Sequence, residues 1–139
     1  MATPDVVLEC IWPEDIETKW PALEPLLRRG YARCGVAMEP EYVKGEAWAG
    51  RRLLWAIYER EKPLPLLGAA ATRIAGRTCI IDAMAGRSWM AWGHSVLAEF
   101  ERLAKSKGMR AVQFDGRFGW ERVLPDYKPI RITLEKVLS

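Results

Sequence analysis

The stretch TCIIDAMAGRSWMAWGHSVLAEFERLAKSKGMRAVQFD, residues 78–115, carries the pattern from which the fold can be inferred. TCIIDAMA is an apolar run typical of a buried strand, and AVQFD is a second such run. Between them, apolar side chains recur at helical spacing, at Trp92, Val96, Phe100 and Leu103. Ser88 is placed to cap this helix and Gly108 to end it. A strand, a long helix and another strand in this order predict a parallel crossover.

The segments on either side extend this pattern into a mixed α+β chain. Further strands are expected at Val6–Ile11, 51–60, 66–74 and 131–138, and further helices at Ile16–Tyr31, 38–50 and 119–124. Short turns containing Gly or Pro separate the two strands before residue 78 from each other and from the strand that follows, which favours an antiparallel meander. Pro21 and Pro25 disturb the first helix, so it is expected to begin near Pro21 or to be kinked.

Length and composition indicate one globular domain over residues 1–139. Half of the 139 residues are apolar and 28% are charged, a balance that argues against disorder. The three cysteines are widely spaced and in no metal-ligand pattern, and the single histidine, His94, excludes a pair of histidine ligands. No metal site is therefore expected, and the cysteine usage is typical of a reduced, cytoplasmic protein. Neither a leader segment nor a membrane span is recognisable, so no membrane partner is expected.

Basic residues are concentrated in the last third of the chain. Residues 101–139 carry 9 basic and 5 acidic side chains, and the net charge of the whole chain is +3. Such a surface could meet an anionic ligand such as a nucleotide, or nucleic acid. A small excess of charge is more often an ordinary solvated face, and no nucleic-acid-binding motif accompanies it. Nucleic acid is therefore not expected as a partner.

The order and spacing of these elements resemble the GNAT superfamily of N-acetyltransferases. The resemblance is clearest in LLGAAATRIAGRTCIIDAMAG, in the helix that ends AKSKGMRAVQFDG, and in GWERVLPDYKPI. It implies a GNAT-like acyltransferase fold, a mixed central sheet flanked by helices, in which the fourth strand (Thr78–Ala85) and the fifth (Ala111–Asp115) splay apart. It also implies acetyl-CoA in that gap, with the pyrophosphate on backbone amides at the start of the long helix, where the helix dipole favours an anion.

The resemblance assigns cofactor contacts to the loop before the long helix. The family motif Q/R-x-x-G-x-G/A corresponds to GRSWMAWG, residues 86–93, and the implied contacts are Met84, Ala85, Arg87, Ser88, Trp89 and Gly93. Arg87 lies beside a helix N-terminus, where a phosphate is favoured, and the alternative is a surface arginine packed on Trp89. Met90 replaces a glycine of the motif, and Trp89 and Trp92 are bulky where the backbone must approach phosphate closely. The pattern therefore predicts a degenerate loop filled by tryptophan.

Two residues are candidates for proton transfer. Asp82, in the middle of the fourth strand, is either a general base or an outward-facing polar residue on an alternating strand. The resemblance also implies a tyrosine that acts as general acid toward the CoA thiolate, but Trp120 occupies its place in GWERVLPDYKPI. An indole N–H cannot serve as that acid. Tyr127 is the remaining phenol in this segment, and the alternative role for it is packing.

Asp115 and His94 are two further candidates. Asp115, at the end of the fifth strand, is either a substrate contact or a turn residue. His94 could shuttle protons near neutral pH, but the sequence indicates no partner for it.

Two functions are compatible with these patterns. The first is a GNAT-like protein with a degenerate acetyl-CoA loop, a non-catalytic structural or interaction module of the kind found among phage products. It would act through a protein partner or self-association, in the cytoplasm or in a virion. The second is an active N-acetyltransferase that moves the acetyl group of acetyl-CoA to a primary amine. The 7 tryptophans would supply packing or interface anchors in either case.

Overall fold

The structure, a computed structural model, describes residues 5–33, 39–115, 120–131 and 134–138. Its strands form one five-stranded sheet in the order β1-β2-β3-β4-β5. They span Val6–Cys10, Leu53–Glu59, Gly68–Ala75, Thr78–Gly86 and Ala111–Phe114. Neighbours from β1 to β4 are antiparallel, whereas β4 and β5 are parallel. The predicted α+β class, the meander and the crossover are confirmed.

In the described ranges, four α-helices accompany the sheet, α1 (Ile16–Arg33), α2 (Pro40–Trp48), α3 (Trp89–Ser106) and α4 (Trp120–Val123), and a short 3-10 helix (Pro13–Asp15) precedes α1. Helix α1 begins at Ile16 and continues through both prolines, so of the two predicted alternatives, a start near Pro21 or a kink, the first is wrong. Each proline removes a backbone donor from the helix. The packing of an apolar stripe against the sheet outweighs the missing bonds. The stripe consists of the buried residues Ile16, Trp20, Leu23, Leu27 and Tyr31.

The sheet has a hydrophobic core on each face. On one face, α1 packs on small residues of β3 and β4, which include Ala69, Ala71 and Ala83, and α2 packs beside α1 in the same core. A Cβ added to Gly30 of α1 would lie 3.1 Å from the Cβ of Ala83, so small residues on both sides allow the helix to approach the sheet closely. On the other face, α3 covers larger side chains, among them Ile57, Ile81 and Met84.

The final predicted strand, residues 131–138, differs from the structure. Arg131 and residues 134–138 are described and lie in no strand, while residues 132 and 133 lie outside the described residues. Leu134, Val137 and Leu138 are each more than four-fifths exposed. The alternating pattern predicts a strand only if a neighbouring strand or a buried face receives it. Within the described residues, this segment has neither.

Candidate active site

The ladder between β4 and β5 ends before β4 does. The parallel ladder runs from the pair Thr78–Ala111 to the pair Ile81–Phe114, and the Asp115 backbone N–H then donates to the Ile81 carbonyl at 3.0 Å. Beyond that bond β4 continues to Gly86, whereas β5 has ended. In the described part of the chain, β4 therefore has β3 on one side of residues 82–86 and no strand on the other. This open edge leads directly to the N-terminus of α3.

A β-bulge lies next to the last pair of the β4–β5 ladder. Ala71 of β3 is opposite Ala83, while the next residue, Thr72, is opposite Ile81, so Asp82 is an extra residue on β4. A bulge re-aims side chains because it interrupts the alternation of the strand. Ile81 packs in the core beneath α3, and Ala83 packs in the core beneath α1. The bulge places Asp82 at the junction between these two environments.

Asp82 is buried and held by two arginines. Its side chain is 6% exposed, and Nε of Arg52 donates to Oδ2 at 2.7 Å while Nε of Arg73 donates to Oδ1 at 2.9 Å. Arg52 is itself 10% exposed and also pairs with Glu46 of α2 at 3.3 Å. The expectation of an outward-facing residue on an alternating strand is wrong, because the bulge and the arginine pair bring the carboxylate inside. Charge pairing of this kind is what permits a buried carboxylate.

The β4–β5 ladder stops after Ile81 and Phe114, and we call this point, flanked by Asp82 and Asp115, the fork. Asp115 lies on the β5 side of the fork and interacts electrostatically with Asp82 and Arg73. Its side chain is 36% exposed, and Arg131 approaches it at 3.6 Å. Burial, and next the negative charge of Asp82, raise the pKa of the Asp115 carboxyl, whereas Arg131 and Arg73 act to lower it. The two carboxylates of the fork thus differ in kind. One is enclosed by arginines, and the other is accessible and disposed to hold a proton more readily than an ordinary aspartate.

Trp92 lies beneath the loop that precedes α3. Its side chain is 1% exposed, and its indole N–H donates to the Arg87 carbonyl at 2.7 Å. Gly68 and Gly86, which are paired across β3 and β4, leave room for the ring, since a Cβ on either one would lie 2.9 Å from it. The bulky residue at this motif position is therefore compensated by glycines in the sheet. Trp92 supports the loop from inside. It does not fill the outer surface of the loop, so for this residue the prediction of a loop filled by tryptophan is wrong.

Trp89 lies along the first turns of α3. A Cβ on Gly93 would overlap its ring, and the ring centroid is 5.3 Å from that of the exposed His94. Gly93 is therefore required for close packing within the helix, one turn beyond the amides at residues 88–90. Met90, the other bulky residue of the loop, is 69% exposed and points into solvent.

The start of α3 differs from an ordinary capped helix. Ser88 has left-handed backbone angles (φ 56°, ψ 41°) and its side chain makes no capping hydrogen bond, so the predicted side-chain cap is wrong. Tight entry from β4 into α3 requires this backbone turn, which prevents the usual extended N-cap geometry. The Arg87 N–H donates to the Leu67 carbonyl at 3.0 Å, while the Arg87 side chain is exposed, with Nη2 3.5 Å from the Pro65 carbonyl.

Tyr127 contacts α3 rather than the open edge of β4. Its hydroxyl donates to Oε2 of Glu101 at 2.8 Å. Burial, and then the Glu101 bond and charge, raise the pKa of the Tyr127 phenol well above its usual value. The Cys79 thiol, which also contributes, lies on the half of β4 that is still paired with β5. The phenolic proton is thus directed to Glu101 and held firmly, which does not suit transfer to a leaving thiolate.

The raised pKa of Tyr127 predicts a pH-dependent contribution to stability. We expect Tyr127→Phe to lower the free energy of unfolding by about 1 kcal/mol at neutral pH, because one hydrogen bond is lost. A raised folded-state pKa means that the wild-type advantage is complete below the unfolded tyrosine pKa of about 10 and declines above it. Urea unfolding from neutral to alkaline pH would show the two curves converging, and Glu101→Gln should weaken this convergence. Parallel curves would contradict the assignment.

The remaining predicted contacts lie close to the fork. Met84 and Ala85 are buried on β4, between the bulge and the loop.

No group of three or more His, Cys, Asp or Glu side chains that could hold a metal occurs among the described residues. Burial raises the pKa of the Cys10 and Cys79 thiols, which makes both poorer nucleophiles. No helix within the described ranges is long and apolar enough to cross a membrane.

Neither Arg52 nor Arg73 is singled out by a sequence motif. Arg52 follows Gly50 and Arg51 in a turn, and Arg73 ends a run of alanines and threonine. They meet Asp82 only because β2, β3 and β4 are adjacent in the sheet. The strand register is what brings the two arginines together. Arg52 lies one residue before β2, and the first residue of β2, Leu53, is paired with Thr72, which is adjacent to Arg73.

The mixed five-stranded sheet, in which β4 is parallel to β5 and the long helix α3 connects them, has the GNAT acyltransferase fold. The sequence matches no protein-family model and no curated protein. Among solved structures, the chain is similar to an aminoglycoside acetyltransferase from an uncultured soil metagenomic sample, with a TM-score of 0.67 and 12% identity over 97% of each chain.

It is also similar to two other acetyltransferases. One is a ribosomal-protein-alanine N-acetyltransferase from Brucella melitensis biovar Abortus 2308, with a TM-score of 0.61 and 10% identity over 96% of this chain and 99% of that one. The other is the aminoglycoside antibiotic 6'-N-acetyltransferase AAC(6')-Ih from Acinetobacter baumannii, with the same TM-score, identity and coverage. At these identities, the likeness establishes the fold.

Proposed function

We propose that this protein is an N-acetyltransferase that moves the acetyl group of acetyl-CoA to a primary amine. The observation that carries the proposal is the open edge of β4 at residues 82–86, which starts at the bulge and ends at the N-terminus of α3. An extended thioester cofactor could pair with such an edge, and its pyrophosphate would be favoured at the N-terminus of an 18-residue helix.

The residues at this edge fit acetyl-CoA. Met84 and Ala85 would offer backbone groups along the edge, and the first turn of α3 would offer amides to the pyrophosphate. The exposed Arg87 guanidinium would add a charge-assisted contact. Trp92 supports this loop from within, so its bulk does not exclude the cofactor. When bound, acetyl-CoA supplies the activated acyl group as a thioester, and the protein supplies position and proton transfer.

A primary amine is the proposed acceptor because a carboxylate-rich fork adjoins the open edge. Two of the similar structures are of aminoglycoside acetyltransferases, and an aminoglycoside is a polyamine. Asp115 is accessible to such a cation, whereas Asp82 is not. The particular amine would be chosen by residues around this fork.

Acetyl-CoA binding is the decisive experiment. We expect acetyl-CoA at 100 times its Kd to stabilise the folded protein by about 2.7 kcal/mol, seen as a rise of several degrees in Tm. Arg87→Ala should weaken binding without lowering the Tm of the free protein, since this side chain is exposed. The exposed Arg29 of α1 provides a matched control, Arg29→Ala, which should bind normally. The absence of any shift at millimolar acetyl-CoA would refute the proposal.

A second candidate function is a non-catalytic structural or interaction module with the same fold. It is favoured by the loop before α3, where the Arg87 amide is already bonded to Leu67 and Trp89 covers Gly93. Both contacts reduce the freedom of the backbone to adapt to a phosphate. This candidate predicts no acetyl-CoA shift, and it predicts self-association or a stable protein complex, which sedimentation and pull-down would reveal.

A further inference from the structure

Two carboxylates stand at matching positions on the two arms of the fork. Ile81 and Phe114 form the last pair of the β4–β5 ladder, and both pack in the core beneath α3. Asp82 follows Ile81 on β4, and Asp115 follows Phe114 at the end of β5. Phe114 packs beneath α3 and side chains alternate along a strand, so the Asp115 carboxylate is directed away from α3. The Asp82 carboxylate binds Arg73, whose neighbour Thr72 is paired with Ile81 on the α3 side, so it is directed to the same face as Asp115. Burial, and next the negative charge of Asp82, raise the pKa of Asp115, which is consistent with the two side chains lying on the same side of the sheet.

The two carboxylates have different surroundings. Both oxygens of Asp82 accept guanidinium hydrogen bonds, and its side chain is 6% exposed. A substrate would have to displace Arg52 or Arg73 to use it. Asp115 is 36% exposed and forms an ion pair with the exposed Arg131 at 3.6 Å, so an incoming ammonium group can reach its carboxylate from solvent.

We infer that the two carboxylates divide the work at the fork: Asp115 receives the proton of the acceptor amine, while Asp82 positions the bulge through Arg52 and Arg73. This inference rests on the proposed acetyltransferase function and replaces Asp82 by Asp115 as the general base. Asp82 is thereby a positioning residue. Pairs of acidic groups whose environments differ in this way commonly have separate roles in catalysis.

The proton and electron movements balance with one base. The acceptor ammonium gives a proton to the Asp115 carboxylate, and the nitrogen lone pair so released forms the new N–C bond. The C–S bond of the thioester breaks, and its electron pair stays on sulfur. The second proton lost by nitrogen passes to the thiolate. The products are the acetamide, a thiol and protonated Asp115, which then releases its proton to solvent.

The groups that face Asp115 come from several elements. Asp82 on β4 opposes its ionisation, and Arg73 on β3 and Arg131 in the C-terminal segment favour it. Removal of Arg131 should therefore raise the Asp115 pKa further, and neutralisation of Asp82 should lower it. Arg131 is 58% exposed, so Arg131→Gln tests this without disturbing the core.

The first arm of the test needs no substrate. Side-chain carboxyl carbons of the free protein are titrated by NMR, with Asp115 assigned by comparison with Asp115→Asn. We expect Asp115 to titrate above the ordinary aspartate value of about 3.9, and higher again in Arg131→Gln. Titration of Asp115 at or below the ordinary value, or no response to Arg131→Gln, would overturn the inference.

The second arm compares two small nucleophiles with acetyl-CoA as donor. Methylamine is protonated near neutral pH and must lose a proton before attack, whereas hydroxylamine is already neutral. Asp115→Asn should lower the rate with methylamine about 100-fold, the lower range for loss of a general base, and leave the rate with hydroxylamine within about 3-fold. The methylamine rate of the wild type should rise with pH as Asp115 ionises. Asp15→Asn, an exposed aspartate before α1, is the matched control.

The outcomes separate the inference from the function on which it rests. Equal losses with both nucleophiles would show that Asp115 acts only through structure, and an unchanged methylamine rate would show that it is not the base. A wild type that binds acetyl-CoA but does not accelerate methylamine acetylation would also overturn the inference. Failure to bind acetyl-CoA would overturn the proposed function itself, and the inference with it.

Discussion

Replacement of Asp82 by alanine is expected to lower the free energy of unfolding by about 3 kcal/mol, the range found when one partner of a buried ion pair is removed. The loss arises because Arg52 and Arg73 keep their charges after their shared acceptor has gone. Arg52 retains Glu46 at 3.3 Å, and Arg73 is 34% exposed and can reach water, so the effect should stay at the lower end of that range. Urea denaturation of both proteins measures it.

A double-mutant cycle identifies the origin of this loss. In the Arg52→Ala background, Asp82→Ala should cost markedly less than in the wild type, because the uncompensated guanidinium is absent. Asp15→Ala, at an exposed aspartate, should change stability by less than about 0.5 kcal/mol. Additive losses in the cycle, or a loss from Asp82→Ala as small as that of the control, would contradict the pairing described for the bulge.

Gly86→Ala is expected to be the most damaging small substitution in the sheet, with a loss of more than about 3 kcal/mol. The new Cβ would overlap the Leu67 carbonyl oxygen and lie 2.7 Å from the Gly68 Cα and 2.9 Å from Trp92. Two of these neighbours are backbone atoms of Gly68, the first residue of β3, and of Leu67 just before it, and they cannot move without disturbing the β3–β4 ladder. Thermal and urea unfolding of the purified variant provide the measurement.

Gly45→Ala is the matched control for this substitution. Gly45 lies inside α2, and a Cβ there would meet no atom within 4 Å. We expect a gain of about 0.5–1 kcal/mol, because alanine loses less conformational entropy in a helix than glycine does. Trp92→Leu should not rescue Gly86→Ala, since the backbone overlaps persist. A tolerated Gly86→Ala, or a full rescue, would show that the strands are not packed as described.

Much of the fold could be predicted because its signals are local. The apolar runs around residues 53–59, 68–75 and 78–86 and the helical spacing after Ser88 depend only on neighbouring residues. Predictions failed where a distant partner determined the outcome. Helix α1 runs through Pro21 because its stripe packs on the sheet, and residues 134–138 remain outside any strand because the described chain offers them no neighbour.

The candidate site was only partly predictable for the same reason. The resemblance implied Arg87 and the loop from their place before a helix, which is a sequence-local property. The bulky loop residues suggested an obstruction, yet Trp92 is accommodated by Gly68 and Gly86, which are 18 residues apart in sequence and paired in the sheet. No pattern along the chain shows that pairing.

For Asp82, the local sequence pattern determines its position in a strand, whereas the tertiary structure determines its environment. The sequence alone establishes the α+β order, the crossover through α3 and the presence of an acidic residue in the middle of β4, because periodicity and turn chemistry are encoded by neighbouring residues. The bulge, the two arginines and the facing Asp115 come from four segments brought together only when the sheet assembles. Ion pairing and burial depend on distances in space, and so the fold determines which carboxylate is enclosed and which is accessible.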